Sequence, residues 1–304
     1  MYCKLTTILI ILLAGVNVVF GSIYDLENLH PKTSADGRIT VDYIVDDNDM
    51  PIAQHSVDSG EFNILPMPGE DYYGWPSEIS SDGTTIEGTV FEDVGSERQY
   101  RAAYWEQIDQ IEGIPQYDCH IFDLPEGFYG HSSASDMSAN GEYFVGRSED
   151  SEGYPHACLW EIDESVLDLG YLVDNDVESN FNRARAVSNN KIIVGDCWWM
   201  QLSDTDPEKA LGFIWDELNG MRYIKDVLEQ EYGYDFGNST LTSCRHISTD
   251  GIVLAGDGLD QSGEWFEWTV TIPEPGTLFL FGLGCFIFRE RRREPKSQSF
   301  DVNK

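Results

Sequence analysis

Basic residues are scarce in this chain: 19 Lys and Arg stand against 54 Asp and Glu in 304 residues, a net charge of −35. A body this negative repels phosphate backbones and has no counterion release to gain from them, which excludes nucleic-acid binding. Enzyme signatures are also missing, with no Gly-x-Ser-x-Gly nucleophile elbow, no His-Glu-x-x-His, no phosphate-binding Gly-rich loop and no dinucleotide fingerprint. Cysteine is sparse, six in all, and no Cys-x-x-Cys occurs, so zinc and redox chemistry have no scaffold. The six histidines, His30, His55, His120, His131, His156 and His246, show no metal-ligand spacing. What the chain does hold is 41% hydrophobic residues, 28 Gly, 15 Tyr and 15 Phe, the composition of a folded, turn-rich β protein.

Both ends read as targeting segments. Lys4 precedes an uncharged run from Leu5 to Val19, and the small residues Gly21 and Ser22 follow it, so residues 1–22 read as a secretory signal peptide. At the other end Pro273, Glu274 and Pro275 are followed by an apolar stretch from Gly276 to Phe288 and by Arg289, Arg291, Arg292 and Arg293. As a helix rising about 1.5 Å per residue, that stretch covers about 20 Å of a roughly 30 Å hydrocarbon core, too little for a lasting span. The arginines would hold it on the cytoplasmic side, making the precursor a transient type I membrane protein.

This tail resembles the PEP-CTERM sorting signal of Gram-negative bacteria with extracellular polymeric matrices. The resemblance implies a processing partner of exosortase type, a membrane transpeptidase-like cysteine protease, and a destination at the cell surface or in the extracellular matrix. Residues 273–293 are then the sorting segment and 294–304 a polar tail. The apolar stretch is short for such a signal, and the tail extends past the arginines where such signals usually stop. An ordinary C-terminal anchor retained to Lys304 is the open alternative; a lipid-anchor signal of eukaryotic type fits the arginines poorly.

Residues 23–275 hold 51 acidic and 12 basic residues, a net of −39. Three acidic clusters are candidate calcium sites: Asp46, Asp47 and Asp49; Asp174, Asp176 and Glu178; Asp204, Asp206 and Glu208. None has the Gly and Glu of an EF-hand loop, and solvated acidic faces of this kind are common, so no cofactor is expected. Cys119, Cys158, Cys197 and Cys244 remain after targeting, and an exported chain can pair them in three ways or leave them as buried thiols.

The middle of the chain repeats itself. Ser80, Ser138, Ser188 and Ser248 each stand two residues before an Asp or Asn and 7 or 8 residues before Gly88, Gly146, Gly195 or Gly256. Each unit then closes an apolar pattern with Trp105, Trp160, Trp215 or Trp268, spaced 55, 55 and 53 residues apart. Asp-Gly and Asn-Gly supply the positive φ of a hairpin turn, and the run to the terminal Gly reads as a buried strand. A fourth strand follows the Trp at His120–Leu124, Val166–Leu169 and Tyr223–Leu228, and Gly220–Tyr234 has the spacing of one short helix as well. An incomplete earlier unit starts at Ser34-Ala35-Asp36-Gly37, with a fourth-strand pattern at Phe62–Leu65. Four strands per unit over four to five units predict an all-β, propeller-like ring across residues 23–272, the last unit lacking a fourth strand that an N-terminal strand would supply.

These units resemble the HAF repeats of exported bacterial proteins, through His156-Ala157-Cys158, Arg101-Ala102-Ala103, Phe213 and Phe266. The resemblance implies a propeller-like fold and surface localisation without a set chemistry. His156 falls on a repeat position, which marks it as structural. Trp198 and Trp199 follow a repeat glycine where other units turn polar, so they are candidates for stacking on sugar rings or for burial. The expected function is a non-catalytic surface or matrix protein that binds polysaccharide or protein partners; the alternative is a secreted hydrolase or lyase with its site in the propeller channel.

Overall fold

The computed structural model describes residues 32–272 except 59, 163–165, 175–176, 179–180 and 200–208. The signal peptide, the sorting segment and polar tail, Asp176, Asp204, Asp206, Glu208 and the side chains of Asp174, Glu178 and Trp199 lie outside what is described. Five antiparallel sheet units follow one another. Unit 1 has β1 (Ile39–Val45), β2 (Pro51–Val57) and β3 (Phe62–Ile64), with a bridge from Thr33 to Thr40 marking an inner strand. Unit 2 has β4 (Tyr72–Ile79), β5 (Thr85–Val94), β6 (Glu97–Ile111) and β7 (Ile114–Ile121) in that order. Unit 3 has β8 (Ser132–Met137), β9 (Tyr143–Glu149), β10 (Pro155–Glu161) and β11 (Leu167–Asp168), and a small hairpin, β12 (Val173–Asp174) and β13 (Val177–Glu178), follows. Unit 4 has β14 (Phe181–Val187), β15 (Ile193–Trp199), β16 (Lys209–Asp216) and β17 (Gly220–Tyr223), then α1 (Ile224–Tyr232). In unit 5, β18 (Thr240–Leu241) and β19 (His246–Ile247) share one side of β20 (Val253–Leu259), and β21 (Trp265–Thr271) takes the other.

Two strand limits differ from the sequence expectation. β7 starts at Ile114 because Glu112 and Gly113 both adopt positive φ and turn a tight hairpin that the Glu disguises. In unit 4 the strand stops at Tyr223, and Ile224, Val227 and Leu228 bury one face of α1 instead, which Gly233 ends in a left-handed cap. Among the described residues no strand pairs with the outer side of β21, and no strand pairing joins the last unit to unit 1. No described helix is long and apolar enough to cross a membrane.

The repeat serine is the hinge of each inner hairpin. Ser80 Oγ donates to Asp82 at 2.7 Å and accepts the Thr85 N–H at 3.0 Å. Ser34, Ser138 and Ser248 form the same pair of bonds in their turns. The turns also bond to one another: Ala35 N–H donates to the Ser81 carbonyl, Ser81 N–H to Ala139 and Asn189 N–H to Thr249, at 2.8 to 2.9 Å. Unit 4 is one residue shorter there, and Lys191 takes the left-handed conformation (φ 60°) that glycine takes in units 1, 2, 3 and 5.

The cores lie between consecutive sheets. Trp105 packs with Val41, Ala53 and Ile86 between units 1 and 2, while its neighbour Tyr104 faces Phe144 and Trp160 between units 2 and 3. A central strand buried on both faces needs no polar alternation, which is why these runs are almost wholly apolar. The tryptophans also tie units together: Trp105 Nε1 donates to the Pro66 carbonyl at 2.6 Å and Trp160 Nε1 to Asp123 at 3.0 Å, each on the segment arriving from the previous unit.

Candidate functional site

Side chains from all five units meet at one pocket of about 410 Å³, lined by Lys32, Ser77, Glu78, Ser135, Asp136, Arg185, Arg245 and His246. Each of them stands three or two residues before the repeat serine of its unit. In units 2, 3 and 4 the repeat glycine explains how they get there. Gly88, Gly146 and Gly195 pair with Pro76, Ala134 and Ala184, and the next inner-strand residue, Ser77, Ser135 or Arg185, is an extra residue with no partner. These are β-bulges, which bend a strand and re-aim its side chains. A Cβ on Gly146 would stand 2.1 Å from the Ser133 carbonyl oxygen and one on Gly195 2.2 Å from that of Arg183, so only glycine lets the bulged backbone close.

Three carboxyls gather on one side. Glu78 and Glu87 are directly opposed across β4 and β5, and Asp136 shares a hydrogen bond with Glu78. Carboxylates can only accept, so that bond needs a proton on one of the two. Asp136 is 1% exposed, and burial carries its carboxyl up to about 7, with the Glu87 charge adding to the rise while the bonds from Glu78 and the Val187 N–H oppose it. Glu87 is fully buried, neither of its oxygens has a hydrogen-bond partner, and burial followed by the charge of Glu78 holds it well above the usual carboxylate range. Glu78 accepts the Met137 N–H at 3.0 Å and Asp136 the Val187 N–H at 2.6 Å. Each therefore clips its own unit to the inner strand of the next.

The basic side is anchored differently. Arg185 Nε donates to Asp196 at 2.6 Å, and Arg245 is paired with Asp257, both acids being the residue after a repeat glycine. Arg183 and the Trp198 indole N–H also bond Asp196, and Phe181 lies 6.2 Å from Trp198 centre to centre. Trp198 is 38% exposed. Inspection of the sequence missed Glu78, Glu87, Asp136, Arg185 and Arg245, although aligning the repeats would have exposed them. Glu87 occupies the place of Val145, Val194 and Ala255, and the two positions ahead of the serine change charge while their surroundings stay constant.

Elsewhere, His156 is buried between Asp168 (3.1 Å from Nδ1) and Asp150 (3.4 Å from Nε2), with the Tyr171 hydroxyl also on Nε2 and the Phe128 ring at its edge. Burial opposes its charge, but Asp168 and then Asp150 outweigh that and raise its pKa. The cluster clips β10 to β11 and to the turn before it. Asp46 Oδ1 accepts the N–H groups of Asn48 and Met50, an ordinary turn, and among the described residues no cluster could hold a metal ion. Cys158, Cys197 and Cys244 are buried free thiols, and Cys119 is half-buried with its thiol pushed up to about 12 by burial and the charge of Asp118.

Residues 271–293 match the PEP-CTERM protein-sorting motif. The chain is exported and surface-associated. Such signals are recognised by an exosortase, and the precursor is membrane-anchored before processing. Comparison with curated proteins finds no match. Among solved structures, TolB from Acinetobacter baumannii is similar over 79% of this chain at 13% identity and a TM-score of 0.43, and the chain spans 53% of that structure's length. An exo-1,5-alpha-L-arabinanase from a bovine ruminal metagenomic library is similar over 80% of this chain and 92% of its own, at 11% identity and a TM-score of 0.33.

Proposed function

We propose that the processed chain is a non-catalytic binding protein of the cell surface or extracellular matrix, a propeller-like ring of HAF-type repeats that engages polysaccharide or a surface protein. The observation that carries this reading is the origin of the pocket: every lining residue comes from the same two repeat positions, and its carboxyls are engaged in holding the next unit's backbone. A catalytic pair needs an acid and a base free to reach a substrate. Trp198, part-exposed beside Phe181, supplies a second surface for a sugar ring, with Trp199 next to it in the chain. Exosortase cleavage near Pro273-Glu274-Pro275 then leaves an acidic body from about residue 23 to 272, without its apolar segment and arginines.

Glycan-array and pull-down measurements on the processed protein test this. Retention of a defined glycan or surface protein without its chemical alteration is the expected result. Turnover of a saccharide, abolished by Asp136→Asn without loss of fold, would establish the hydrolase or lyase alternative.

A further inference from the structure

We propose that the convergent pocket binds the carboxylate of an acidic sugar, a hexuronate residue of a matrix polysaccharide, through Lys32, Arg185 and Arg245. This rests on the glycan-binding reading above and names the class of glycan. Only 12 basic residues accompany 51 acidic ones in residues 23–275, yet three of the 12 line this one cavity. They come from units 1, 4 and 5, whereas the pocket's carboxyls come from units 2 and 3. Those carboxyls are buried and already engaged, Glu78 and Asp136 sharing a hydrogen bond and accepting the Met137 and Val187 N–H groups.

The cations are offered outward. Arg185 and Arg245 are each fixed by one aspartate, yet their side chains are 29% and 44% exposed, and each guanidinium has further N–H groups beyond that bond. Lys32 is exposed and makes no ion pair among the described residues. A pre-oriented guanidinium fork matches a carboxylate in two parallel bonds. Beside it Ser77 and Ser135, both brought to the pocket by bulges, can exchange hydrogen bonds with ring hydroxyls. The volume of about 410 Å³ lies within the roughly 300–1,000 Å³ of small-ligand sites. Because most of the body repels anions, a recess that gathers three of its few cations is the place where an acidic sugar can be held.

Calorimetric titration of the processed full-length product tests the assignment, with digalacturonate, cellobiose as a neutral disaccharide, and inorganic phosphate as probes. Digalacturonate is expected to bind and cellobiose not to. Arg245→Gln should weaken digalacturonate by about tenfold or more and Lys32→Gln by about threefold. Lys32 is exposed, so its variant reads the site even if Arg245→Gln fails to fold. Equal binding of cellobiose and digalacturonate overturns the assignment but leaves a glycan-binding protein. Phosphate competing as well as the sugar reduces the pocket to a general anion site and also overturns it. Unchanged digalacturonate affinity in folded Lys32→Gln and Arg245→Gln places the sugar elsewhere, and failure of every saccharide on the array removes the glycan reading together with this one.

Discussion

Asp136 provides the sharpest test of the protonated carboxyl cluster. Its carboxyl moves from 3.8 to about 7 on folding, chiefly through burial. Between those values the native state binds more protons than the unfolded chain, so stability falls as pH rises through that window. Roughly three pH units at about 1.36 kcal/mol each amount to on the order of 4 kcal/mol, lost from about pH 4 upward and fully lost just above pH 7. Glu78 and Glu87 are coupled to Asp136, so the loss belongs to the cluster as a unit. Two other effects share its direction. His156 has a raised pKa, so its contribution is present below its unfolded value and disappears as pH rises through its folded one; self-repulsion of the acidic body also grows with pH. Urea unfolding, followed by the fluorescence of buried Trp105, Trp160 and Trp268, should therefore compare the parent, Asp136→Asn and His156→Gln at pH 5 and pH 8. The parent should be less stable at pH 8, and Asp136→Asn should keep only the part of that difference that buried Glu87 supplies, while His156→Gln keeps most of it. An Asp136→Asn variant with the parent's full drop would refute a protonated Asp136.

Gly146→Ala should lower stability by about 1–3 kcal/mol, because the added Cβ would meet the Ser133 carbonyl at 2.1 Å and force the bulge to shift; an unchanged melting temperature would contradict the close-approach account. Ser80→Ala removes the two hydrogen bonds of a fully buried hydroxyl and should cost about 1–3 kcal/mol, whereas Ser188→Ala, whose Oγ contacts are 3.2 and 3.5 Å, should cost less; equal losses in denaturant titration would argue against the turn chemistry. Thiol titration should find Cys158, Cys197 and Cys244 unreactive until unfolding and Cys119 faster, while an intact mass short of two hydrogens would reveal a disulfide instead. Intact-mass measurement of surface material from a host with its exosortase should find the peptide from Arg291 to Lys304 missing, and its recovery on the mature protein would favour the retained anchor.

Much of this protein is determined locally and can be read from the chain. The Pro-Glu-Pro, apolar and arginine elements are contiguous, so their order alone carries the sorting signal. Ser-x-Asp-Gly dictates its own turn through bonds spanning five residues, and a 55-residue beat of tryptophans implies stacked units because one unit cannot bury both faces of its central strand. The pocket was of another kind. Lys32, Glu78, Asp136, Arg185 and Arg245 are more than 200 residues apart at the extremes, and each looks like an isolated surface charge until the five units bring them to a common point, with bulges opposite the repeat glycines in units 2, 3 and 4. The helix Ile224–Tyr232 falls within the stretch whose spacing allowed one, and its burial of Ile224, Val227 and Leu228 is what decided helix over strand there. Turn and sorting signals depend on near neighbours along the chain, whereas a charge's partner and its protonation depend on which sheets are brought beside it.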